Sequence, residues 1–134
     1  MPVPVHSFSP PFNIVRASHV VLGVTDLARS KAFHGETLGL HVEDETKDAL
    51  YLRGVEERQH HSMVLTKSAA PECQVIGFKV ASEDDLDKAA HYFKAKGLKP
   101  AFVERPYQGR TLRVTDPFEV PLETKTAFLM KLNE

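Results

Sequence analysis

The chain has 134 residues, with 17 lysines and arginines against 18 aspartates and glutamates and a formal net charge of -1 at pH 7. This balance excludes the strongly basic surface that nucleic-acid binding needs, and the single cysteine, Cys73, excludes an intramolecular disulfide framework. Because no apolar run approaches the roughly 20 residues that cross a bilayer, we expect a cytoplasmic domain whose partner is a small molecule, not a membrane or a nucleic acid.

The first half of the chain is predicted to form a strand, a helix and three further strands behind an extended arm. Residues 1–13 contain four prolines, which exclude a helix and favour an extended arm. The β-branched run at residues 15–24 predicts a strand, and Thr25-Asp26 can cap a helix over residues 27–38 that ends at Gly39. Shorter strand patterns follow at residues 40–43, 49–53 and 60–66.

The second half of the chain repeats this order. Residues 74–80 predict a strand, and Ser82 followed by Asp85 is a capping pattern for a helix over residues 83–96 that ends at Gly97. Strand patterns then come at residues 100–103, 111–115 and 121–126.

The duplicated order predicts an α+β fold made of two βαβββ repeats, residues 14–67 and residues 68–134. Neither half can bury its apolar face alone, so we expect the two sheets to pair within one domain. From the residues alone, an unrelated α+β domain with two similar helices is the alternative.

Several motifs resemble the vicinal oxygen chelate superfamily, which includes glyoxalase I, bleomycin resistance proteins and extradiol dioxygenases. Residues 19–40, HVVLGVTDLARSKAFHGETLGL, resemble its opening βα unit, and Asp116-Pro117 followed by Glu123 resembles its closing segment. YLR at residues 51–53 with EERQHH at residues 56–61 is most similar to the amino-terminal module of homoprotocatechuate (3,4-dihydroxyphenylacetate) type extradiol dioxygenases. The resemblance implies that the paired repeats form one curved mixed sheet.

The resemblance also implies a metal site, and this chain departs from its pattern. In extradiol dioxygenases two histidines and one glutamate bind Fe(II) or Mn(II) and leave positions open for substrate. His19 and Glu123 match the first histidine and the glutamate, whereas Val75 stands at the second histidine position. We therefore expect an incomplete metal site that can lack the metal altogether, in which His19 and Glu123 pair with each other or line the sheet.

His61 is the candidate catalytic residue. It matches, approximately, a histidine that acts as general acid and base in the catalytic module of extradiol dioxygenases, and a pKa near 6.5 suits that role. A structural role for His61 is the simpler interpretation. The doublet His60-His61 falls on a predicted strand, so only one of the two rings is expected to face the cavity.

Three functions follow from these residues. The leading one is a non-catalytic amino-terminal module of an extradiol dioxygenase that cleaves a small aromatic diol, with a catalytic module or further copies of the chain as partners. The first alternative is a self-contained dimeric member of the superfamily, a glyoxalase-like metalloenzyme or a resistance protein, whose cavity is lined by His19, His61 and Glu123. The second is a metal-free ligand-binding protein, which Val64 and Val75 favour. The sequence does not decide whether this chain alone is an enzyme.

Overall fold

The computed structural model describes residues 9–125, which form eight strands and two helices in the predicted order. The first repeat comprises β1 (Ile14–Val24), α1 (Leu27–Lys31), β2 (His41–Glu45), β3 (Ala49–Arg53) and β4 (Met63–Lys67). The second repeat comprises β5 (Glu72–Val80), α2 (Glu83–Ala95), β6 (Ala101–Val103), β7 (Thr111–Thr115) and β8 (Pro121–Lys125). The α+β fold is thus confirmed, while residues 1–8 of the predicted arm lie outside the described residues.

All eight of these strands join one mixed sheet in the order β2-β3-β4-β1-β5-β8-β7-β6. β1 and β5, the first strands of the two repeats, pair antiparallel at the centre, and each is flanked by the last strand of its own repeat in parallel. The two repeats therefore meet at β1 and β5, and equivalent positions of both halves come together in the middle of the sheet.

The helices begin at the predicted caps. The side chain of Asp26 accepts from the backbone N–H of Arg29 at 3.0 Å, and Ser82 accepts from the N–H of Asp85 at 3.2 Å. Gly97, with φ +82°, follows α2 in the left-handed conformation that glycine adopts without steric cost.

The first helix departs from the prediction in its second half. Only Leu27–Lys31 is α-helical, and Ala32–Thr37 forms a π-helical turn in which Leu38 N–H donates to the carbonyl of Phe33 at 3.0 Å. The ring Nδ1 of His34 lies 2.8 Å from the Ser30 carbonyl, so the side chain competes with the backbone for that acceptor. This contact lies at the point where the α-helical hydrogen bonds give way to the π-helical turn.

Each helix covers an apolar cluster on one face of the sheet. The cluster beneath α1 is built on Leu50, Leu52 and Leu65 of the sheet. In the second cluster, Leu86 and Ala89 of α2 pack against Val80 and Leu112 of the sheet. Because the helices cover one face, the other face of the sheet is left to line a cavity, and we call it the inner face.

The described end of the predicted arm packs on α2. Phe12 lies edge-on to Phe93 with ring centroids 5.3 Å apart, and the Asn13 N–H donates to Asp85 Oδ1 at 3.0 Å. This bond, together with the Ser82 hydroxyl, holds the pKa of Asp85 below its usual value. Between residues 9 and 125, neither helix is long and apolar enough to cross a membrane.

Candidate functional site

Three neighbouring strands bring His19 and Glu123 to the inner face of the sheet. His19 on β1 lies directly opposite Gly77 on β5, and Gly77 lies opposite Glu123 on β8. Residues directly opposite each other project to the same face. Val75 lies two residues from Gly77 along β5 and therefore projects to the same face, opposite Val21. The three positions that the resemblance implied for a metal thus share one surface.

The His19 ring fills the space above Gly77. A Cβ atom added to Gly77 would lie 2.0 Å from two atoms of that ring, so only glycine fits beneath it. Lys125 Nζ and His19 Nδ1 lie 3.0 Å apart and share a hydrogen bond, and the side-chain amide of Gln108 lies 3.5 Å from the other ring nitrogen. Burial, and then the charge of Lys125, lower the pKa of His19 to about 3. His19 is therefore uncharged at neutral pH.

Lys125 is a fully buried lysine at the end of β8, with 0 % of its surface exposed. Burial lowers its pKa to about 6, with Arg16 and Lys79 adding to the shift and the charges of Glu123 and Glu57 opposing it. At pH 7 these surroundings therefore favour the uncharged amine of Lys125 next to the uncharged imidazole of His19.

Glu123 is held by two arginines. Its Oε1 accepts from Arg105 Nε and Nη2, both at 2.8 Å, and lies 3.4 Å from Arg113 Nη1. The carboxylate is 1 % exposed, so these charge-assisted bonds offset the cost of burying it.

These contacts do not fit a divalent metal ion. Nδ1 of His19 binds Lys125, Glu123 binds two permanently charged guanidinium groups, and Val75 offers no donor atom. Within residues 9–125, no group of three histidine, cysteine, aspartate or glutamate side chains is placed to share a metal ion. The donor set is that of a hydrogen-bonded cluster at the positions that the resemblance assigned to metal ligands.

His60 and His61 lie before β4 and not on a strand, so the predicted strand assignment for this doublet is wrong. The segment is organised by side chains: Arg53 Nη1 donates to the Glu57 carbonyl at 3.2 Å, and Glu57 Oε1 accepts from Gln59 N–H at 3.1 Å. The rings of the doublet are therefore not forced to opposite faces, and both contact Tyr51, with centroids 5.8 and 5.0 Å away.

His61 lines the cavity as a neutral, buried ring. It is 0 % exposed, and its ring lies edge-on to His19 with centroids 5.9 Å apart. Burial, followed by the nearby charges of His19, Lys125 and His60, lowers the pKa of His61 to about 3. This value is far from the neutral range that suits a general acid and base.

Tyr107, in the connection between β6 and β7, joins the two ends of the sheet. Its hydroxyl donates to Asp44 on β2, and its ring stacks on His60 with centroids 3.7 Å apart. β2 and β6 are the opposite edges of the sheet. Through this contact, the connection between β6 and β7 therefore lies across the inner face. Tyr107 has φ +62°, a conformation that non-glycine residues adopt at a cost.

A cavity of about 610 Å³ lies between the inner face and this connection. Its apolar lining comes from Val21, Val64 and Val75, and its polar lining includes Tyr51, His61, Arg105, Gln108, Arg113 and Glu123. The cavity therefore combines an apolar side with a charged side that carries two arginines and three glutamates, of which Glu123 is buried and Glu72 and Glu119 are exposed.

Sequence reasoning identified three residues that line this cavity, His61, Val75 and Glu123, and the neighbouring His19, and it missed the groups that bind His19 and Glu123. Lys125 was within reach of that reasoning, because it stands two residues after Glu123 on a strand and so projects to the same face. Arg105 lies in an irregular connection, where no periodic signal indicates the direction of a side chain.

Comparisons with known proteins agree with this architecture. The model of the Glyoxalase/Bleomycin resistance protein/Dioxygenase superfamily matches residues 16–124. Homoprotocatechuate 2,3-dioxygenase from Brevibacterium fuscum, solved with 3,4-dihydroxyphenylacetate, superposes with a TM-score of 0.87 at 34% identity over 94% of this chain and 40% of that one.

Two curated relatives also match this chain. The manganese-dependent 2,3-dihydroxybiphenyl 1,2-dioxygenase of Geobacillus genomosp. 3 is 26% identical over 82% of this chain and 36% of its own length. The metapyrocatechase of Geobacillus stearothermophilus is 25% identical over 81% of this chain and 33% of its own length. The chain thus spans about a third of the length of these relatives. It belongs to the glyoxalase/bleomycin resistance protein/dioxygenase superfamily.

Proposed function

We propose that this chain is the non-catalytic, amino-terminal module of an extradiol ring-cleaving dioxygenase that acts on a small aromatic diol. One observation carries the proposal: the positions that correspond to metal ligands hold a lysine-bound His19, an arginine-bound Glu123 and Val75. The relatives named above are dioxygenases, and this chain spans about a third of each curated one. A module that has the fold of these dioxygenases but lacks a complete set of metal donors explains both the similarity and the contacts of His19 and Glu123.

We call the hydrogen-bonded group of His19, Lys125, Glu123, Arg105 and Arg113 the inner-face cluster. In this proposal the cluster stabilises the fold. Lys125 and His19 connect β8 to β1 across β5, and Glu123 ties β8 to the connection that closes the cavity through Arg105. His61 packs between His19 and Tyr51 and has no catalytic role. The chain then supplies a rigid surface for a partner, either a catalytic module or further copies of itself.

The metal of the complete enzyme, Fe(II) or Mn(II), would belong to that catalytic module, where it would supply a binding site for the diol and for oxygen. The manganese dependence of the 2,3-dihydroxybiphenyl 1,2-dioxygenase relative supports a divalent metal in such a partner. A chain with one cysteine suits the reducing cytoplasm, where we place this protein.

The first experiment measures metal content and activity of the purified chain. After incubation with Mn(II) or Fe(II) and gel filtration, we expect far less than one metal ion per chain and no oxygen consumption with 3,4-dihydroxyphenylacetate. One ion per chain together with ring cleavage would overturn the proposal and establish a self-contained enzyme.

A second experiment tests the supporting role. The matching segment of the Brevibacterium fuscum enzyme is replaced by this chain, and the chimera is assayed for metal content and oxygen consumption. We expect an active chimera whose metal content is unchanged by His19→Gln in the transplanted segment. A loss of metal caused by His19→Gln would contradict the assignment of this module as non-catalytic.

A further inference from the structure

We propose that residues 104–110 form a lid over the inner face of the sheet, latched to the first repeat by the side chain of Tyr107. When the latch opens, small molecules reach the cavity while the rest of the domain stays folded. This inference goes beyond the proposed function and does not depend on it, because it concerns a motion of this chain's own connection between β6 and β7.

The first step is the difference in length between equivalent connections of the two repeats. In the first repeat, residues 46–48 join β2 to β3 in a tight turn, in which the Thr46 N–H donates to the Ala49 carbonyl at 2.8 Å. In the second repeat, the longer segment 104–110 joins β6 to β7 and lines the cavity with three of its side chains. Because a short turn is sufficient to pair two such strands, we infer another task for the additional residues.

The second step is the conformation of this connection. The Gln108 N–H donates to the Arg105 carbonyl at 3.3 Å, which makes Pro106 and Tyr107 the central residues of a turn. Tyr107 has φ +62°, and turns with proline followed by a residue of positive φ favour glycine at that second position. A tyrosine there is strained, so contacts of its side chain must hold the turn in this conformation. The strain is released when those contacts break.

The third step is that the base of the lid is bound to the second repeat. Arg105 and Gln108 flank the tip of the turn. Arg105 Nε donates to Glu123 on β8 at 2.8 Å, and Gln108 Oε1 accepts from the hydroxyl of Thr111 on β7 at 3.1 Å. The amide of Gln108 also lies 3.5 Å from the ring of His19, a distance at which a hydrogen bond is weak. The base can therefore stay in place while the tip moves.

The fourth step is that the latch lies on the first repeat. The Tyr107 hydroxyl donates to Asp44 Oδ2 on β2, and Asp44 Oδ1 accepts from the Glu45 N–H at 2.8 Å, which fixes the direction of the carboxylate. The Tyr107 ring stacks on His60 and lies edge-on to Tyr51, with centroids 5.2 Å apart. One hydrogen bond and two ring contacts thus hold the tip of the lid.

The closed lid faces a row of cavity-lining side chains that crosses four neighbouring strands. Tyr51 lies opposite Val64, Val64 opposite Val21, and Val21 opposite Val75. Val64 and Val75 are 6% and 5% exposed. Since both line the cavity beneath the lid, an opening of the lid should be measurable as a gain in their accessibility.

Thiol labelling with iodoacetamide, followed by mass spectrometry, measures this opening. In a Cys73→Ser background, Val64→Cys places one thiol on the inner face, and Leu65→Cys places one on the opposite face, in the cluster beneath α1. Tyr107→Phe keeps the ring and removes the hydroxyl of the latch. We expect it to raise the labelling rate of Val64→Cys at least about tenfold and to leave that of Leu65→Cys unchanged.

A second pair of variants tests the other side of the latch. Asp44→Ala removes the acceptor of the same hydrogen bond, and Asp48→Ala is its matched control, because Asp48 is an exposed acid in the turn after β2. Asp44→Ala should raise the labelling rate of Val64→Cys as Tyr107→Phe does, whereas Asp48→Ala should match the wild type. Combining Asp44→Ala with Tyr107→Phe should add little, since both remove one bond.

Equal increases in labelling at both thiols, together with a matching loss of stability in urea, would mean that Tyr107 braces the whole domain and would overturn the proposal. Unchanged labelling of Val64→Cys in Tyr107→Phe would overturn it too, and so would labelling of Val64→Cys behind the intact latch at the rate of the unfolded chain. If Val64→Cys does not fold, Val75→Cys and Val80→Cys replace the pair, on the inner and the helix-covered face of β5.

Discussion

Lys125 Nζ shares a hydrogen bond with Nδ1 of His19 at 3.0 Å, and both side chains are buried on the inner face of the sheet. The bond links the last strand of the second repeat to the first strand of the first repeat. An amine thus lies beside the histidine that the sequence resemblance assigned to a metal site. The consequences for stability and for metal binding can be measured.

The burial of Lys125 predicts that the free energy of unfolding rises with pH above neutrality. Its pKa is about 6 in the folded chain, against 10.5 for an ordinary lysine. Between these values the unfolded chain binds a proton that the folded chain does not, so protonation favours unfolding. Stability is expected to increase by up to about 1.4 kcal/mol per pH unit in this window, as measured by urea denaturation at pH 7, 8 and 9.

Lys125→Met is the matched variant for this prediction, because it keeps the aliphatic stem and removes the titrating group. The variant is expected to lose most of the rise in stability between pH 7 and pH 9. An unchanged slope in Lys125→Met would assign the pH dependence to another residue. Below pH 6.5 the depressed pKa values of His19 and His61, both about 3 and lowered first by burial, predict a further loss of stability on acidification of the wild type, and a smaller loss in the variant, which lacks the charge of Lys125.

The packing of His19 on Gly77 predicts that Gly77→Ala destabilises the fold. The new methyl group would lie 2.0 Å from the ring, and overpacking of this kind typically costs about 1–3 kcal/mol. Chemical denaturation measures the change. Gly54→Ala is the control, since nothing lies within 4 Å of the added atom there.

A double-mutant cycle shows whether the ring is the cause of that destabilisation. In His19→Ala the space above Gly77 is empty, so adding Gly77→Ala to it should cost far less than in wild type. Additive effects of the two substitutions would mean that the cost of Gly77→Ala comes from the strand backbone and not from His19.

The sequence predicted the parts of the fold that depend on local patterns. Ser82 and Asp85 indicated the start of α2, and the β-branched residues of β1 and β5 indicated the two central strands. Caps and apolar periodicity act within a few residues, so one sequence is sufficient to find them. The duplicated order then implied which strands come first in each half.

The contacts that decide the chemistry of the site were not predictable in this way. Arg105 reaches Glu123 from an irregular connection 18 residues earlier in the chain, and Tyr107 reaches Asp44 from a distance of 63 residues. Whether Glu123 is available to a metal ion or is bound by an arginine depends on such a long-range placement. The motif positions identified the face of the sheet on which His19 and Glu123 lie, and only the tertiary structure identified the side chains that bind them.

The turn before β8 predicts a stabilising substitution. Glu119 has φ +66°, where a side chain is strained, and Asp116 Oδ1 accepts from the N–H groups of Phe118 and Val120, both at 2.8 Å. Glu119→Gly removes the strain, and after the larger entropy of glycine in the unfolded chain is subtracted we expect a gain of about 0.5–1 kcal/mol. Differential scanning calorimetry should show a higher melting temperature.

Glu119→Ala separates backbone strain from charge at this position. Alanine removes the carboxylate and keeps the Cβ atom, so it should give little or none of the gain. If alanine stabilised the chain as much as glycine, the effect would come from the charge of Glu119 beside the cavity and not from its conformation.

The inner-face cluster predicts that restoring a histidine donor is not sufficient to create a metal site. Val75→His alone leaves His19 bound to Lys125 and Glu123 bound to two arginines, so Mn(II) binding should stay at the wild-type level. Val75→His combined with Lys125→Met, Arg105→Gln and Arg113→Gln releases the two residual donors and should bind Mn(II) measurably. At a tenfold excess of Mn(II) over its dissociation constant, the combined variant should gain about 1.4 kcal/mol of stability.

Calorimetric titration and the shift of the melting temperature with Mn(II) measure the two effects independently. The matched control carries Ile76→His in place of Val75→His with the same three accompanying substitutions, which puts the new histidine on the opposite face of β5. That control should not bind, because its imidazole is separated from His19 and Glu123 by the sheet. If Val75→His alone bound Mn(II) as tightly as the combined variant, Lys125 and the two arginines would not be what keeps the metal out, and the absent histidine would be the sole difference from a working site.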